Sequence, residues 1–404
     1  MNKDELISCK LNTNNVYEDK KLSLAFVEEE LRKVRRFLRT VPNCNPSPLI
    51  SLSTLANHLN VKGIYIKDEC NRGTLKSFKI LGATYAISKY ICTQLNIDIN
   101  NMNFYDLKNG DIKSKIGKLT FTTCSDGNHG RAVAWAANEL GFKSIIYLNK
   151  GTSEERVEAI RSLGAEAVVT ELNYDDTVRY ANEKAIENGW ILIQDTSFRG
   201  YEEIPLWIMQ GYATMAFEAL EQVKNLDKNI THILLQAGVG AMAGGALGCI
   251  SNYYNGNHPK TIIVEPHNAA CMFKSACINS IEPQRVTGEL QSIMAGLACG
   301  EPVKEGWQIL RNSAYAFLSC SDEVSARAMR ILGNPLPGDR RIISGESGAV
   351  TLGAIYTLME SLPYEKIREE LGIDKNSEIL LFSTEGDTAP KNYYDIVWNG
   401  KCPM

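Results

Sequence analysis

A lysine that follows a glycine-containing loop is the first residue here whose type and position could do covalent chemistry. The segment NRGTLKSFKILGATYAI, residues 71–87, runs from a polar loop into a helix, and Lys79 stands in the opening turn. Burial beside apolar Phe78 and Ile80 would lower the pKa of this amine and leave it able to attack a carbonyl group. Lys79 is therefore a candidate for Schiff-base formation, although a lysine near a helix start is more often a solvated surface residue.

A tight turn in TTCSDGNHGRAVAWAA, residues 122–137, carries a carboxylate and an amide. Asp126 stands at the mouth of the turn, and Asn128 could donate a hydrogen bond to a ring hydroxyl or an imine. A helix N-cap with a tight turn would also explain the sequence Asp-Gly-Asn. His129 follows directly and is interpreted as structural.

A glycine-rich loop follows a β-rich run in THILLQAGVGAMAGGALG, residues 231–248. Closely spaced glycines let backbone N–H groups converge on a phosphate at the positive end of a helix. Dinucleotide-binding folds share this arrangement, and Glu265 ends the next strand at about the distance that suits a ribose hydroxyl. The spacing GxGxxxGG departs from GxGxxG, which weakens the dinucleotide interpretation. The predicted anion site consists of Gly238, Val239, Gly240, Ala241, Met242, Ala243 and Gly244.

Three further stretches contain polar groups suited to a ligand site. Asp195 follows a strand in residues 194–212, at the edge where open α/β sheets bind ligands, although a helix N-cap is an equally good interpretation. Glu346 lies between glycines in IISGESGAVTLG, residues 342–353. In FSTEGDT, Ser383 or Thr384 could bond a pyridine nitrogen without protonating it. Because side chains alternate along a strand, only one of these two faces inward.

Composition and charge exclude several classes of function. The 404 residues carry a net charge of -4 without a basic stripe, so we expect no nucleic-acid partner. The basic run 32–39 follows three glutamates and predicts an exposed helix face. No stretch approaches ~20 apolar residues, which excludes a membrane span. Eleven irregularly spaced cysteines and unpaired histidines predict reduced thiols, a cytoplasmic location and no metal.

Short β-rich runs alternate with amphipathic helical stretches, which predicts a mainly parallel sheet covered by helices. No long linker or repeat separates domains, so we expect two interleaved units, residues 1–85 with 226–404 (large) and residues 86–225 (small). The polar stretch 100–118 predicts a surface insertion, with a mobile lid as the alternative. The candidate strands are residues 63–67, 119–123, 144–148, 167–170, 191–194, 233–236, 261–264 and 379–383.

Together these segments resemble the fold-type II pyridoxal-phosphate family, which contains tryptophan synthase β, cysteine synthase and the serine/threonine dehydratases. The resemblance implies two open, twisted α/β domains with mainly parallel sheets, and pyridoxal 5'-phosphate held by Lys79 as a Schiff base. The matches keep the family's order and cover nearly the whole chain. They are NPSPL at residues 45–49, the lysine of SFK, SDGNHG, the glycine loop, VEP at residues 264–266, SGESGA and STEGDT.

Within that family the chain is most similar to the ammonia-lyases that act on 2,3-diaminopropionate. The similarity rests on SFKILGA, the aspartate of SDGNHG, residues 194–212 and IMAGLACGEP at residues 293–302. It implies a homodimer that eliminates ammonia from D- and L-2,3-diaminopropionate to give pyruvate. It also implies that Lys79 removes the α-proton of the L-substrate, Asp126 that of the D-isomer, and that Asp195 assists at the substrate ammonium.

Three other functions stay open at this point. A serine or threonine dehydratase would share the lysine and the glycine loop, but Asp126 argues against it because a second carboxylate suits a substrate with an ammonium group. A nicotinamide-binding oxidoreductase would use the glycine loop and Glu265. An inactive ligand-binding relative would be expected to have lost Lys79 or Asp126, and both are present.

Overall fold

The computed structural model describes residues 5–13, 20–125 and 127–403. Within these ranges the chain forms two β-sheets with helices packed on them. The strands are β1 (Ile7–Leu11), β2 (Leu49–Ser51), β3 (Gly63–Asp68), β4 (Thr120–Ser125), β5 (Lys143–Leu148), β6 (Glu166–Val169), β7 (Ile191–Leu192), β8 (His232–Gln236), β9 (Lys260–Pro266), β10 (Ala316–Cys320) and β11 (Glu378–Ser383).

Helices connect most of these strands, as parallel pairing requires. The helices are α1 (Lys20–Leu24), α2 (Glu28–Leu38), α3 (Ser53–His58), α4 (Lys79–Gln94), α5 (Gly110–Ile116), α6 (Asn128–Glu139), α7 (Glu154–Arg161), α8 (Tyr174–Asn188), α9 (Glu203–Asn225), α10 (Ala241–Tyr253), α11 (Cys271–Cys277), α12 (Lys304–Ser313), α13 (Asp322–Gly333), α14 (Glu346–Glu360), α15 (Glu365–Leu371) and α16 (Pro390–Val397). In the described part of the chain, none of these helices is long and apolar enough to span a membrane.

The larger sheet has seven strands in the order β1-β10-β9-β8-β11-β3-β2. The edge strands β1 and β2 run antiparallel to their neighbours, and every other pairing in this sheet is parallel. The smaller sheet has the order β6-β5-β4-β7 and is parallel throughout. Both sheets are therefore open and mainly parallel, which confirms the predicted α/β class and leaves the carboxyl ends of the central strands available for a site.

Helix α4, which begins at Lys79, crosses α9 at very close range. A Cβ added at Gly82 would lie 2.4 Å from the Tyr212 ring, and one added at Gly211 would lie 2.6 Å from the Leu81 carbonyl oxygen. Glycine at both positions removes this clash and brings the two backbones together. The crossing fixes the opening turn of α4 against α9.

The eight strands predicted from sequence are all present, with ends that differ by at most two residues. Strands β1, β2 and β10 were not predicted. The strands of the smaller sheet come from residues 120–192, and those of the larger sheet come from residues before and after this range. The exact domain boundaries stay a prediction.

Two segments outside the sheets also bear on sequence expectations. The basic run lies on α2, where Arg32 and Lys33 pair with glutamates of the same helix. The insertion at residues 100–118 contains α5 and is anchored by Phe104 and Leu107, which are fully buried. Both interpretations of this segment, a surface insertion and a mobile lid, stay predictions.

Candidate active site

The carboxyl ends of strands from both sheets border one cavity. β4 leads into α6, β7 leads to Asp195, β8 leads into the glycine loop, and β11 leads to Thr384. The cavity is lined by Phe78, Lys79, Asn128, His129, Tyr174, Asp195, Gln236, Ala237, Gly238, Val239, Gly240, Ala241, Met242, Ala243, Gly296, Leu297, Cys299, Ser347, Thr384 and Glu385. Tyr174 also lines a wider neighbouring cleft between residues 149–156 and 289–298.

Lys79 and Asp195 form an ion pair inside this cavity. The Lys79 Nζ atom lies 2.7 Å from Asp195 Oδ2, and the two side chains are 16% and 2% exposed. Burial by itself would raise the pKa of Asp195, but the positive charges of Lys79 and His129 outweigh it and lower that pKa to about 2. Asp195 is therefore ionised at neutral pH, although it is buried.

Aromatic rings and a histidine surround this ion pair. The Lys79 Nζ atom lies 5.4 Å from the Phe78 ring centroid and 5.3 Å from that of Tyr212. The Tyr212 hydroxyl donates to Asp195 Oδ2 at 3.4 Å and lies 3.5 Å from His129 Nδ1. The other His129 ring nitrogen lies 2.7 Å from the Ile193 carbonyl oxygen. These contacts fix both members of the ion pair.

The glycine loop has the geometry of an anion cradle. Gly240 has φ of +90°, and a Cβ there would lie 2.2 Å from Met272 Cε. A Cβ at Gly238 would lie 3.1 Å from the Gly296 carbonyl oxygen. Gly240 is also the N-cap of α10, whose first amides lack carbonyl partners within the helix and carry the positive end of its dipole. The loop therefore presents backbone donors where side chains would not fit.

Thr384, and not Ser383, faces the cavity. The Ser383 hydroxyl lies 2.8 Å from that of Ser344, on the other side of the strand end. The Thr384 Oγ1 atom accepts a hydrogen bond from Gln236 Nε2 at 2.9 Å, which leaves its own O–H to donate. Of these two residues only Thr384 lines the cavity, so a ring nitrogen that needs a neutral donor would find it in Thr384, and this contact stays a prediction.

The buried Gln236 Oε1 atom beside Thr384 has no hydrogen-bond partner among the described residues, and Gln236 lines the cavity. Because buried polar groups in proteins are nearly always paired, this atom marks space for a polar ligand. With the glycine loop and Thr384, it fits a cofactor that combines an anionic group with a hydrogen-bonding ring.

Some predicted site residues lie elsewhere. Glu346 faces away from the cavity, because its carboxylate accepts from Asn392 Nδ2. Gly244 lies behind the loop, where an added Cβ would meet Gly306 Cα at 2.6 Å, so its role is helix packing. Neither residue lines the cavity, and direct cofactor contact stays a prediction for both. Asp126 lies outside the described residues.

Glu265 has no place in the cavity. Its carboxylate accepts the backbone N–H groups of Met272 at 2.8 Å and Phe273 at 2.7 Å. Burial raises the pKa of Glu265 to about 8. Its two hydrogen bonds hold the start of α11. A ribose hydroxyl could not reach it in this arrangement, which removes the feature that favoured a dinucleotide.

Several cavity residues were not predicted from sequence. Gln236 ends β8 directly before the glycine loop, and Glu385 follows Thr384. Both stand inside stretches that were singled out from sequence, residues 231–248 and FSTEGDT, but neither was given a role. Tyr174 comes from a segment without a chemical pattern, and only the fold brings it to the cavity. Residues 293–302 supported the resemblance, but no role was assigned from sequence to Gly296, Leu297 or Cys299.

Comparisons with known proteins agree with this geometry. The family model described as "Pyridoxal-phosphate dependent enzyme" matches residues 41–367. Diaminopropionate ammonia-lyase of Escherichia coli strain K12 is 47% identical over 389 residues, which cover 96% of each chain. The crystal structure of the E. coli enzyme in complex with D-serine has a TM-score of 0.91 and 46% identity, with 98% of each chain covered.

A further crystal structure of that E. coli enzyme holds an aminoacrylate–PLP azomethine reaction intermediate. It has a TM-score of 0.90 and 45% identity to this chain, with 98% of each chain covered. The cofactor of this protein is pyridoxal phosphate, and the cavity described above fits it. The chain belongs to the pyridoxal-phosphate-dependent enzyme family and, within it, to the family of the diaminopropionate ammonia-lyases.

Proposed function

We propose that this protein eliminates ammonia from D- and L-2,3-diaminopropionate, giving pyruvate. The observation that carries the substrate assignment is the buried, ionised carboxylate of Asp195, 2.7 Å from Lys79 Nζ. A cation is the partner that such a carboxylate favours, and diaminopropionate carries a second ammonium group. Serine and threonine carry a neutral hydroxyl at the same carbon. The similarity to diaminopropionate ammonia-lyases over nearly the whole chain supports the same substrate.

When bound, pyridoxal phosphate supplies an aldehyde that condenses with amines and a ring that withdraws electrons from Cα. Lys79 supplies the amine that holds the cofactor and is the base that takes the α-proton of the L-substrate. The glycine loop from Gly238 to Ala243 holds the phosphate through backbone N–H groups. Thr384 donates to the ring nitrogen, and Asn128 donates to the ring hydroxyl.

Asp195 has two tasks in this proposal. Its charge keeps Lys79 Nζ at the cavity, and the same charge stabilises the substrate's β-ammonium group. The β-amine then leaves as ammonia, and the C–N electron pair leaves with it while Cα and Cβ become doubly bonded. The released aminoacrylate takes up water, which yields pyruvate and a second ammonia.

We propose Asp126 as the base for the D-isomer. Enantiomers present the α-proton on opposite faces, so one site that accepts both needs a second base. Asp126 lies outside the described residues, and its neighbour Asn128 lines the cavity. The support is thus its place in the SDGNHG turn, two positions before Asn128, the residue that we propose for the ring hydroxyl.

We also propose a cytoplasmic homodimer. All eleven cysteines lie within the described residues and carry free thiols, which suits a reducing compartment. The homodimer rests on the family resemblance. Sedimentation of the holoenzyme at several concentrations would test it, and a single monomeric species would contradict it.

Product stoichiometry tests the proposed reaction. We expect the holoenzyme to release two molecules of ammonia for each pyruvate from L-2,3-diaminopropionate, because both nitrogens are lost. A dehydratase acting on serine releases one ammonia for each pyruvate. Coupled assays for pyruvate and ammonia on the same sample give the ratio. Absence of pyruvate from diaminopropionate, with turnover of serine or threonine, would contradict the assignment.

A further inference from the structure

Glu385 lies where the segments that carry Lys79 and Thr384 are joined. Its backbone forms an isolated antiparallel β-bridge with Ser77. Beside it, the Phe78 N–H donates to the Thr384 carbonyl oxygen at 3.2 Å. These backbone contacts hold the start of the Lys79 helix against the residue proposed for the ring nitrogen. The same backbone contacts therefore position the Glu385 carboxylate.

The Glu385 side chain contacts a residue next to the smaller sheet. Its Oε2 atom accepts a hydrogen bond from Asn128 Nδ2, and its Oε1 atom accepts the Ser347 backbone N–H at 2.9 Å. Asn128 opens α6, directly after β4 of the smaller sheet, whereas Glu385 follows β11 of the larger sheet. The carboxylate is 6% exposed and lines the cavity. It thus links the two halves of the site.

We propose that Glu385 is a positioning residue that fixes the amide of Asn128 with its nitrogen towards the cofactor. A carboxylate only accepts hydrogen bonds, so it selects the amide nitrogen of Asn128 and not the oxygen. That nitrogen carries two N–H groups, and the second remains for the ring hydroxyl. On the other side, Asn128 Oδ1 receives Arg131 Nη1 at 3.4 Å. This inference rests on the proposed role of Asn128.

The charges around Glu385 give the contact a pH dependence. Burial and the negative charge of Glu346 raise the pKa of Glu385 to about 7, and Arg156 on α7 opposes this rise. Arg131 on α6 also interacts with the carboxylate. Below that pKa a proton on Oε2 would face the N–H of Asn128, since Oε1 must still accept from Ser347. The contact is therefore expected to weaken as the pH falls below 7.

Glu385→Gln is the direct perturbation. The glutamine keeps the shape and can still accept the Ser347 N–H, but its own amide nitrogen would face that of Asn128. Either the contact is lost or Asn128 turns over and presents its oxygen. We expect the dissociation constant for pyridoxal phosphate to rise roughly 10-fold or more, as for the loss of a charge-assisted hydrogen bond. The visible band should shift and lose its titration near pH 7.

Glu378→Gln is the matched control. Glu378 is a buried carboxylate at the opposite end of the same strand, and it accepts from the Asn229 N–H at 2.9 Å and from Lys62 Nζ at 3.3 Å. We expect this variant to lower the melting temperature and to leave the cofactor affinity and the visible band unchanged. Glu385→Asp, which keeps an accept-only group, should recover most of the affinity and supplies a second variant if the glutamine does not fold.

A double-mutant cycle with Asn128→Ala separates the mechanism from general damage. If Glu385 acts through Asn128, Glu385→Gln should cause no further loss of cofactor affinity in the Asn128→Ala background. Additive losses, wild-type affinity in Glu385→Gln, or an equal loss in Glu378→Gln would each overturn the proposal. Failure of the proposed function would appear separately, as wild-type holoenzyme that binds cofactor but yields no pyruvate from diaminopropionate.

Discussion

Replacing Asp195 with asparagine removes the negative charge that pairs with Lys79 in the cavity. The ordinary pKa of this carboxyl is 3.8, and in the folded protein it falls to about 2. At 1.36 kcal/mol per pKa unit, that difference corresponds to about 2 kcal/mol of stability at neutral pH. Because the folded pKa is the lower one, this stability is present above pH 3.8 and is lost as the pH falls towards 2.

We expect Asp195→Asn to lower the free energy of unfolding of the cofactor-free protein by about 2 kcal/mol at pH 7. Urea titration of both proteins measures this difference. Asp387→Asn is the control, because Asp387 pairs with Lys76 at 2.8 Å near the surface, where Lys76 is 56% exposed, and a loss below about 1 kcal/mol is expected. If Asp195→Asn unfolded at the same urea concentration as the wild type, the ion pair would not have the strength inferred here.

Three further predictions concern the cofactor and the substrate. Thr384→Ala should shift the visible band and weaken cofactor binding about 10-fold, whereas Ser383→Ala should leave both near wild type; equal effects would contradict the assignment of Thr384. Gly240→Ala should reduce cofactor affinity at least 10-fold, because φ at this position is +90° and the new Cβ would meet Met272 Cε at 2.2 Å. Titration with pyridoxal phosphate, followed by absorbance, measures the affinity, and an unchanged dissociation constant would contradict this prediction. Asp126→Asn should abolish turnover of the D-isomer and spare that of the L-isomer, and equal loss on both in steady-state assays would refute the two-base proposal.

The fold class followed from sequence because several central strands, such as β8, β9 and β11, contain apolar runs and alternate with helical stretches. Strands β1 and β2 escaped detection because they lie at the edges of the sheet, where pairing with one neighbour sets the structure of a short segment. β10 is fully buried and parallel to β9, and the sequence AFLSC at residues 316–320 lacks a clear pattern.

Within the site, the sequence predicted the residues that stand in a recognisable local motif. Lys79 and the glycine loop have a type and a spacing that predict their use. The choice between Ser383 and Thr384 needed the structure, because both stand at a strand end and either could face inward. Glu346 looked like a site residue on its flanking glycines, but the start of α14 turns its carboxylate towards Asn392.

The contacts between distant segments could not be predicted. Lys79 lies beside the Tyr212 ring because α4 and α9 cross at two glycines, and no local pattern encodes that crossing. The bond between Glu385 and Asn128 joins residues 257 positions apart, from different sheets. Such contacts depend on how the two sheets pack, which local sequence patterns do not reveal.

Steady-state kinetics on competing substrates tests the central claim most directly. Purified holoenzyme would be assayed for kcat/KM on L-2,3-diaminopropionate, D-2,3-diaminopropionate, L-serine and L-threonine, with the Lys79→Ala variant as the inactive reference. We predict that both enantiomers of diaminopropionate give pyruvate with a kcat/KM at least 100-fold above that of serine or threonine, since the buried charge of Asp195 favours an ammonium over a neutral hydroxyl at the β-carbon by about 3 kcal/mol. A preference for serine or threonine would contradict the account, while leaving the fold and the cofactor in place.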